Sequence, residues 1–263
     1  MSARDHVKHP DEEPVDDEGR AMQIPRPQRV VSLVPSLTEA IAVTHRHLLV
    51  GVTDWCSHPG DLDLPRVGGT KWPDLGAIEV LRPDLVVANA EENRASDVAA
   101  LRKSGIPVWM TAPATVAQAV DSLSALLRGL AGTEPDWIAR TRTLWNEMAP
   151  PDTRRRAVIA IWRRPWMVLG RSTFAGDALH SLGVDNVFAD HAERYPRIEL
   201  GDERIKTTNV VILPDEPYEF TAQDGPEAFP GKQVALISGR HLTWYGPSLL
   251  EAPDVLRAQL AQP

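Results

Sequence analysis

The stretch RVVSLVPSLTEAIAV, Arg29 to Val43, decides the fold. A β-branched run stops at Pro35, and helix-compatible residues begin at once, so the chain passes from strand to helix through a tight junction. A strand ending at Pro35 and Ser36 leaves the first amides of the following helix free to meet an anionic or carbonyl-bearing ligand group. Ser36 or Thr38 can equally cap that helix, and Glu39 can complete a capping box or complement the dipole in its first turn. Ligand contact and capping explain the same residues.

Working outward, the short apolar runs VVSLV, LLVGV, DLVVA and PVWMT alternate with polar, helix-like segments such as ENRASDVAALRKSG. Strands alternating with helices predict a parallel sheet with helical crossovers. From Thr115 onward, Val116, Val120, Leu123, Leu127 and Leu130 fall on one helical face. Gly132 to Pro135 stops that helix and starts another, with Thr133 or Glu134 as its cap and Pro135 in its first turn, running to about Ala149. The runs AVIAIW, VVIL and QVALIS then resume the alternation, with a helical FAGDALHSLG between them and a closing helix after YGP. The expected organisation is an α/β chain with an acidic, disordered tail over 1–28, an N-terminal lobe over 29–113, linking helices over 114–150 and a C-terminal lobe over 151–263. In such sheets ligands meet the loops at the carboxyl ends of the strands.

Composition narrows the function. A net charge of −8 argues against a duplex nucleic-acid binder, which needs a basic stripe against phosphates. The single cysteine, Cys56, excludes an internal disulfide and a four-thiolate zinc site. No run is apolar enough for membrane insertion or a signal-peptide core, so the expected location is cytoplasmic, the alternative being a periplasmic or extracellular protein whose start site lies further upstream. Eight tryptophans against four phenylalanines and three tyrosines suit flat binding walls more than an ordinary core.

These motifs carry a resemblance. RVVSLVPSLTEAI, VGVTDWCSHP, VGGTKWPDLGAIEVLRPDLVVA and LRKSGIPVW resemble the amino lobe of the class III, cobalamin- and iron-chelate-type periplasmic binding proteins. ANAEENR, IWRRPWMVLGR, VILPDEPYEFT and HLTWYGP look like the branch of that class called helical backbone metal receptors. The resemblance implies two Rossmann-like lobes with parallel sheets, joined by a helical backbone. It implies non-covalent capture of a cobalamin-like, haem-like or metal-chelate small molecule in the cleft between lobes, with no required cofactor and no catalysis. A substrate-binding subunit of an ABC importer and a direct divalent-metal binder are the alternatives.

The residues assigned to that cleft are Ser36, Thr38, Trp55, Glu91, Glu92, Asn93, Trp162, Arg163, Trp244 and Tyr245. Trp55 falls where cobalamin-binding relatives present an aromatic ring, and Asn93 can instead cap the helix that follows it. Cys56 and His58 are the metal candidates, needing further ligands from Glu91, Glu92 or His241, or serving singly as an axial ligand to a bound macrocycle. An enzyme with Cys56 as nucleophile and His58 or His241 as base is disfavoured, because neighbours two apart on an extended loop point apart. VGGTKW lacks the spacing of a phosphate-binding loop. Relatives dock on a permease through an acidic residue on each lobe. The matching positions here are Gly76 and Gly201, with Glu79, Asp202 and Glu203 nearby, which makes ABC permease docking doubtful.

Overall fold

The computed structural model describes residues 13–24, 26–149 and 151–261. In the N-terminal lobe, β1 (Val30–Ser32), β2 (Leu49–Val52), β3 (Leu85–Asn89) and β4 (Val108–Thr111) form a parallel sheet in the order β2-β1-β3-β4. Its strands read as continuous apolar runs because helices cover both faces. Val30, Val87 and Trp109 share one buried cluster with Leu37 and Ile41 of α1 (Pro35–His45). Val31 and Val86 pack on the other face with Ile78 of α2 (Leu75–Leu81) and Leu101 of α3 (Ala95–Lys103).

The linking helices are α4 (Val116–Ala131) and α5 (Asp136–Asn146). Thr115 caps α4 by accepting from the Gln118 amide at 3.1 Å, and Gly132, with φ at 81°, supplies the left-handed turn that ends it. The expected cap of α5 is corrected: Pro135 holds that place without a side-chain bond, and α5 stops at Asn146. Glu134 is taken up elsewhere, accepting from Ser124 of α4 and Arg142 of α5, so it ties the two helices together.

In the C-terminal lobe, β5 (Arg155–Trp162) pairs with β6 (Met167–Val168), which is antiparallel, and with β7 (Val184–Asn186) on the same side. On its other side the parallel strands β8 (Val210–Pro214) and β9 (Gln233–Ile237) follow. The helices are α6 (Phe174–Ser181), the short α7 (Glu203–Lys206), α8 (Gly239–Thr243) and α9 (Ala252–Leu260). Thr173 caps α6 and Ser238 caps α8 through their hydroxyls. No helix among the described residues is long and apolar enough to cross a membrane.

The lobes are not separate bodies. Phe174, Ala178, Tyr245 and Leu249 of the C-terminal half belong to the same buried cluster as Leu37, Val120 and Leu127. Trp145 of α5 donates to the Leu249 carbonyl at 2.9 Å, and Asp177 of α6 accepts from the Val116 amide at 2.8 Å. One core therefore spans linker and lobes.

The disorder expected over 1–28 is corrected where residues are described; 1–12 lie outside them. The Asp17 amide donates to the Met110 carbonyl at 3.0 Å, and the buried Asp16 carboxylate accepts from the Met110 amide at 3.1 Å. Asp17 also accepts from the Ala112 amide at 2.6 Å and the Ser122 hydroxyl at 2.9 Å. Met22 lies against Gly129 of α4, where an added Cβ would collide with its Cε. β4 is an edge strand whose free backbone groups need partners, and these acids provide them.

Candidate functional site

The site begins with Asn89, the last residue of β3. Its Oδ1 accepts from the amides of Glu91 at 2.8 Å and Glu92 at 3.1 Å, a side-chain turn that swings both glutamates out of the strand direction. Asn89 Nδ2 donates to Tyr245 Oη at 2.6 Å, and that hydroxyl also bonds Thr111 Oγ1 at 2.8 Å. Tyr245 is thus a strut between the lobes, and its burial raises its pKa well beyond the usual phenol range.

Two ion pairs and an aromatic contact also bridge the lobes. Glu91 accepts from Tyr195 Oη at 2.5 Å and pairs with Arg194. Glu39 of α1 pairs with Arg240 of α8. The rings of His58 and Trp244 meet edge to face at 5.5 Å, while Trp244 Nε1 donates to Glu216 at 2.8 Å. Burial above all, and then the Arg240 charge, hold the His58 pKa below the ordinary histidine value.

Glu92 and Glu216 are the strained charges. Burial raises Glu92 most, with the neighbouring Glu91 adding to it and Lys71 opposing, although the side chain remains open to solvent at the rim. Burial also raises Glu216; the Trp244 bond opposes, and Asp215 and, more weakly, Glu92 reinforce it. A carboxyl with a raised folded-state pKa binds protons in the folded state before the unfolded chain does, so stability rises as pH falls through the folded value. Glu92→Gln and Glu216→Gln are each expected to melt higher than the parent at pH 7.5, with the advantage gone below the unfolded value of about 4.5. Scanning calorimetry across that range checks this; a lower melting temperature at pH 7.5 would contradict it.

The structure distributes the sequence candidates unevenly. Trp55 projects from the loop after β2 and is 66% exposed. Glu91, Trp244 and Tyr245 lie where the lobes meet, the two aromatic residues buried there, and Glu92 is exposed beside Glu91. Ser36 and Thr38 are buried, and α1 starts after Val34 with no side-chain cap, so the capping expectation is corrected. Glu39 makes no capping box because Arg240 engages it. Thr38 instead bonds Cys56 Sγ at 3.0 Å, and the Ser36 carbonyl would lie 3.2 Å from a Cβ at Gly246, so the second half of the chain covers this helix start.

Asn93 is buried and structural: its Oδ1 accepts from the Asn89 amide at 2.8 Å and its Nδ2 donates to the Thr70 carbonyl at 2.9 Å. It caps nothing, since Arg94 precedes α3 without a side-chain bond. Trp162 and Arg163 form a cluster within their own lobe. Trp162 meets Tyr218 at 5.5 Å, and Arg163 pairs with Asp224 and Glu227.

The metal candidates are corrected. Cys56 is 1% exposed, its Sγ turned inward to Thr38 and to Thr53 Oγ1 at 3.1 Å, and burial raises its pKa, so the thiol stays protonated at neutral pH. His58 faces Trp244. Among the described residues no group of three His, Cys, Asp or Glu side chains could hold a metal ion.

The sequence reading missed Trp72, Lys71, Arg94, Arg194, Tyr195 and Arg240. Trp72 is 71% exposed, with the Arg94 guanidinium 3.7 Å over its ring. Trp55 Nε1 would touch a Cβ at Gly69 at 3.3 Å, so the loops carrying the two exposed indoles pack together. Tryptophan next to a proline turn in KWPD was a usable signal for Trp72. Arg194 and Tyr195 sit in an irregular stretch with no periodicity, and only the fold brings them to Glu91.

No protein-family model matches the chain. Among curated proteins, the vitamin B12-binding protein of Vibrio cholerae is 26% identical over 193 residues, 70% of this chain and 70% of that protein. The crystal structure of the periplasmic vitamin B12-binding protein of Vibrio cholerae superposes with a TM-score of 0.71 at 22% identity, over 89% of this chain and 97% of that one. The chain is similar in sequence to vitamin B12-binding proteins and shares the fold of the class III periplasmic binding proteins. A periplasmic haem-binding protein solved with two haems superposes with a TM-score of 0.73 at 22% identity, over 88% and 97% of the two chains. The class III fold expected from the sequence, two α/β lobes on parallel sheets with linking helices, is the one observed. The cytoplasmic location is corrected by these relatives, whose solved members are periplasmic proteins. The doubt about permease docking drawn from Gly76 and Gly201 finds no support in these comparisons.

Proposed function

We propose that this class III protein captures a corrinoid, haem or metal chelate in the cleft between its lobes and serves as the substrate-delivery subunit of a membrane importer. The observation that carries the reading is the pair of exposed indoles, Trp55 and Trp72, on packed loops beside the cleft. Exposed rings of that size are unfavourable in water and suit a flat apolar ligand face. The names of the relatives, vitamin B12-binding and haem-binding, support the same ligand classes. Direct binding of a bare divalent ion has no cluster among the described residues to support it.

Tryptophan emission of the purified protein, titrated with cobalamin, cobinamide and haem, tests the proposal. Saturable quenching by at least one macrocycle is expected, and Trp55→Ala is expected to weaken it about tenfold, the effect of removing one aromatic contact of about 1–2 kcal/mol. Absence of quenching by all three would reject it.

A further inference from the structure

The chain passes from the N-terminal sheet to the linking helices through a short crossover, 112–115, between the end of β4 and the start of α4. Both ends of that crossover bond the C-terminal half. Before it, Thr111 Oγ1 bonds Tyr245 Oη at 2.8 Å; after it, the Val116 amide donates to Asp177 of α6 at 2.8 Å. Whatever fixes the crossover therefore fixes how the lobes meet.

Asp17 grips it from both sides. Its carboxylate accepts from the Ala112 amide at 2.6 Å and from the Ser122 hydroxyl of α4 at 2.9 Å, so one side chain joins the strand end to the helix that leads away. Its own amide donates to the Met110 carbonyl at 3.0 Å, and Asp16 accepts from the Met110 amide at 3.1 Å. Thr111 is thus steadied on its outward side through both neighbours. On its inward side its carbonyl accepts from the Ala90 amide at 2.9 Å and its hydroxyl bonds the Ala88 carbonyl at 3.1 Å. The end of an edge strand opens readily when its outer backbone groups face only water, and bonds to a carboxylate are among the stronger ones available to close it. The gripping segment is itself held in shape: Asp16 accepts from the Glu18 and Arg20 amides at 3.0 and 2.8 Å, and Met22 is buried against α4.

We infer that residues 16–22 form a strap that bolts the inter-lobe crossover, with Asp17 as the positioning residue. By tying residues 110–112 to α4 it holds Thr111 on Tyr245 and Val116 on Asp177. Displacing the strap loosens one lobe against the other without unfolding either, and weakens what the cleft between them holds. Only that last clause rests on the cleft-binding reading above.

Hydrogen exchange of the full chain, followed by mass spectrometry with residue-level fragmentation, tests the bolt without any ligand. In Asp17→Ala, exchange of the Val116 amide is expected to accelerate at least about fivefold more than that of Val158 in the middle of β5. Ser122→Ala, which cuts only the arm to α4 and suits a helix, is expected to act in the same direction and less strongly. In urea unfolding, Tyr245→Phe is expected to lower the folding equilibrium constant at least about threefold less in the Asp17→Ala background than in the parent, because the strut is already slack there. Equal acceleration at Val116 and Val158, or the same effect of Tyr245→Phe in both backgrounds, would overturn the bolt and leave Asp17 an ordinary contributor to stability. Cobinamide and haem, titrated by tryptophan quenching, test the cleft. Whichever binds the parent is expected to bind Asp17→Ala about threefold to tenfold more weakly, and parental affinity would overturn the strap's role there. No binding of either to the parent would reject the cleft-binding reading together with that clause, while the exchange data decide the bolt.

Discussion

Replacing Arg240 with alanine is expected to lower folding stability by about 3–5 kcal/mol, the usual effect of leaving one member of a buried ion pair without its partner. Glu39 is the residue left behind. It lies in the middle of α1, nearly fully buried, with one carboxylate oxygen on Arg240 and the other unbonded. Arg240 also lies 6.0 Å from the Trp244 ring, so its loss loosens the wall that carries the Glu216 bond. The double variant Glu39→Leu/Arg240→Met is expected to recover most of the loss, because two apolar groups of similar volume remove the desolvation problem altogether. Urea unfolding of Arg240→Ala and of the double variant checks this. A loss below about 1 kcal/mol in Arg240→Ala would show that water reaches Glu39 and that the pair behaves as a surface bridge.

The second large effect is expected at Gly239, the first residue of α8. An added methyl there would lie 2.5 Å from both the backbone nitrogen and the Cβ of Glu216, and 2.8 Å from its Cα. Backbone cannot rotate aside as a side chain does, so Gly239→Ala must separate the start of α8 from the loop after β8. The Gly239 amide donates to Asp215 at 2.6 Å, and that bond would stretch with the same movement. Overpacking of this kind costs about 1–3 kcal/mol, and the lost bond adds about 1 kcal/mol. Glu216 and Trp244 move with the loop, so ligand affinity is expected to fall in step with the melting temperature. A variant with parental stability and affinity would mean that the two segments part without resistance.

Much of this architecture is legible in the sequence because buried parallel strands and amphipathic helices write their own periodicities. VVSLV, DLVVA and VVIL are strands because both faces of each sheet are covered, and α4 shows its inward face at spacings of three and four. The site is less legible, for identifiable reasons. Thr38 and Asn93 look like ligand contacts at the right positions, but such polar side chains are as readily consumed within the protein, Thr38 by the Cys56 thiol and Asn93 by the Asn89 amide. Arg194 and Glu91, and Glu39 and Arg240, are long-range pairs that no local pattern announces. Cys56 and His58 are close in sequence but face opposite ways, one inward to hydroxyls and one outward to an indole.

The segment around Asp16 and Asp17 has a meaning beyond anchorage. An open strand edge such as that of β4 is a template on which the same strand of another molecule can lay itself. Here the slot is filled by the chain's own backbone and by carboxylates that would repel a second copy. Proteolytic trimming between this segment and β1 would leave the two-lobed body intact but make it concentration-sensitive, soluble when dilute and self-associating when crowded.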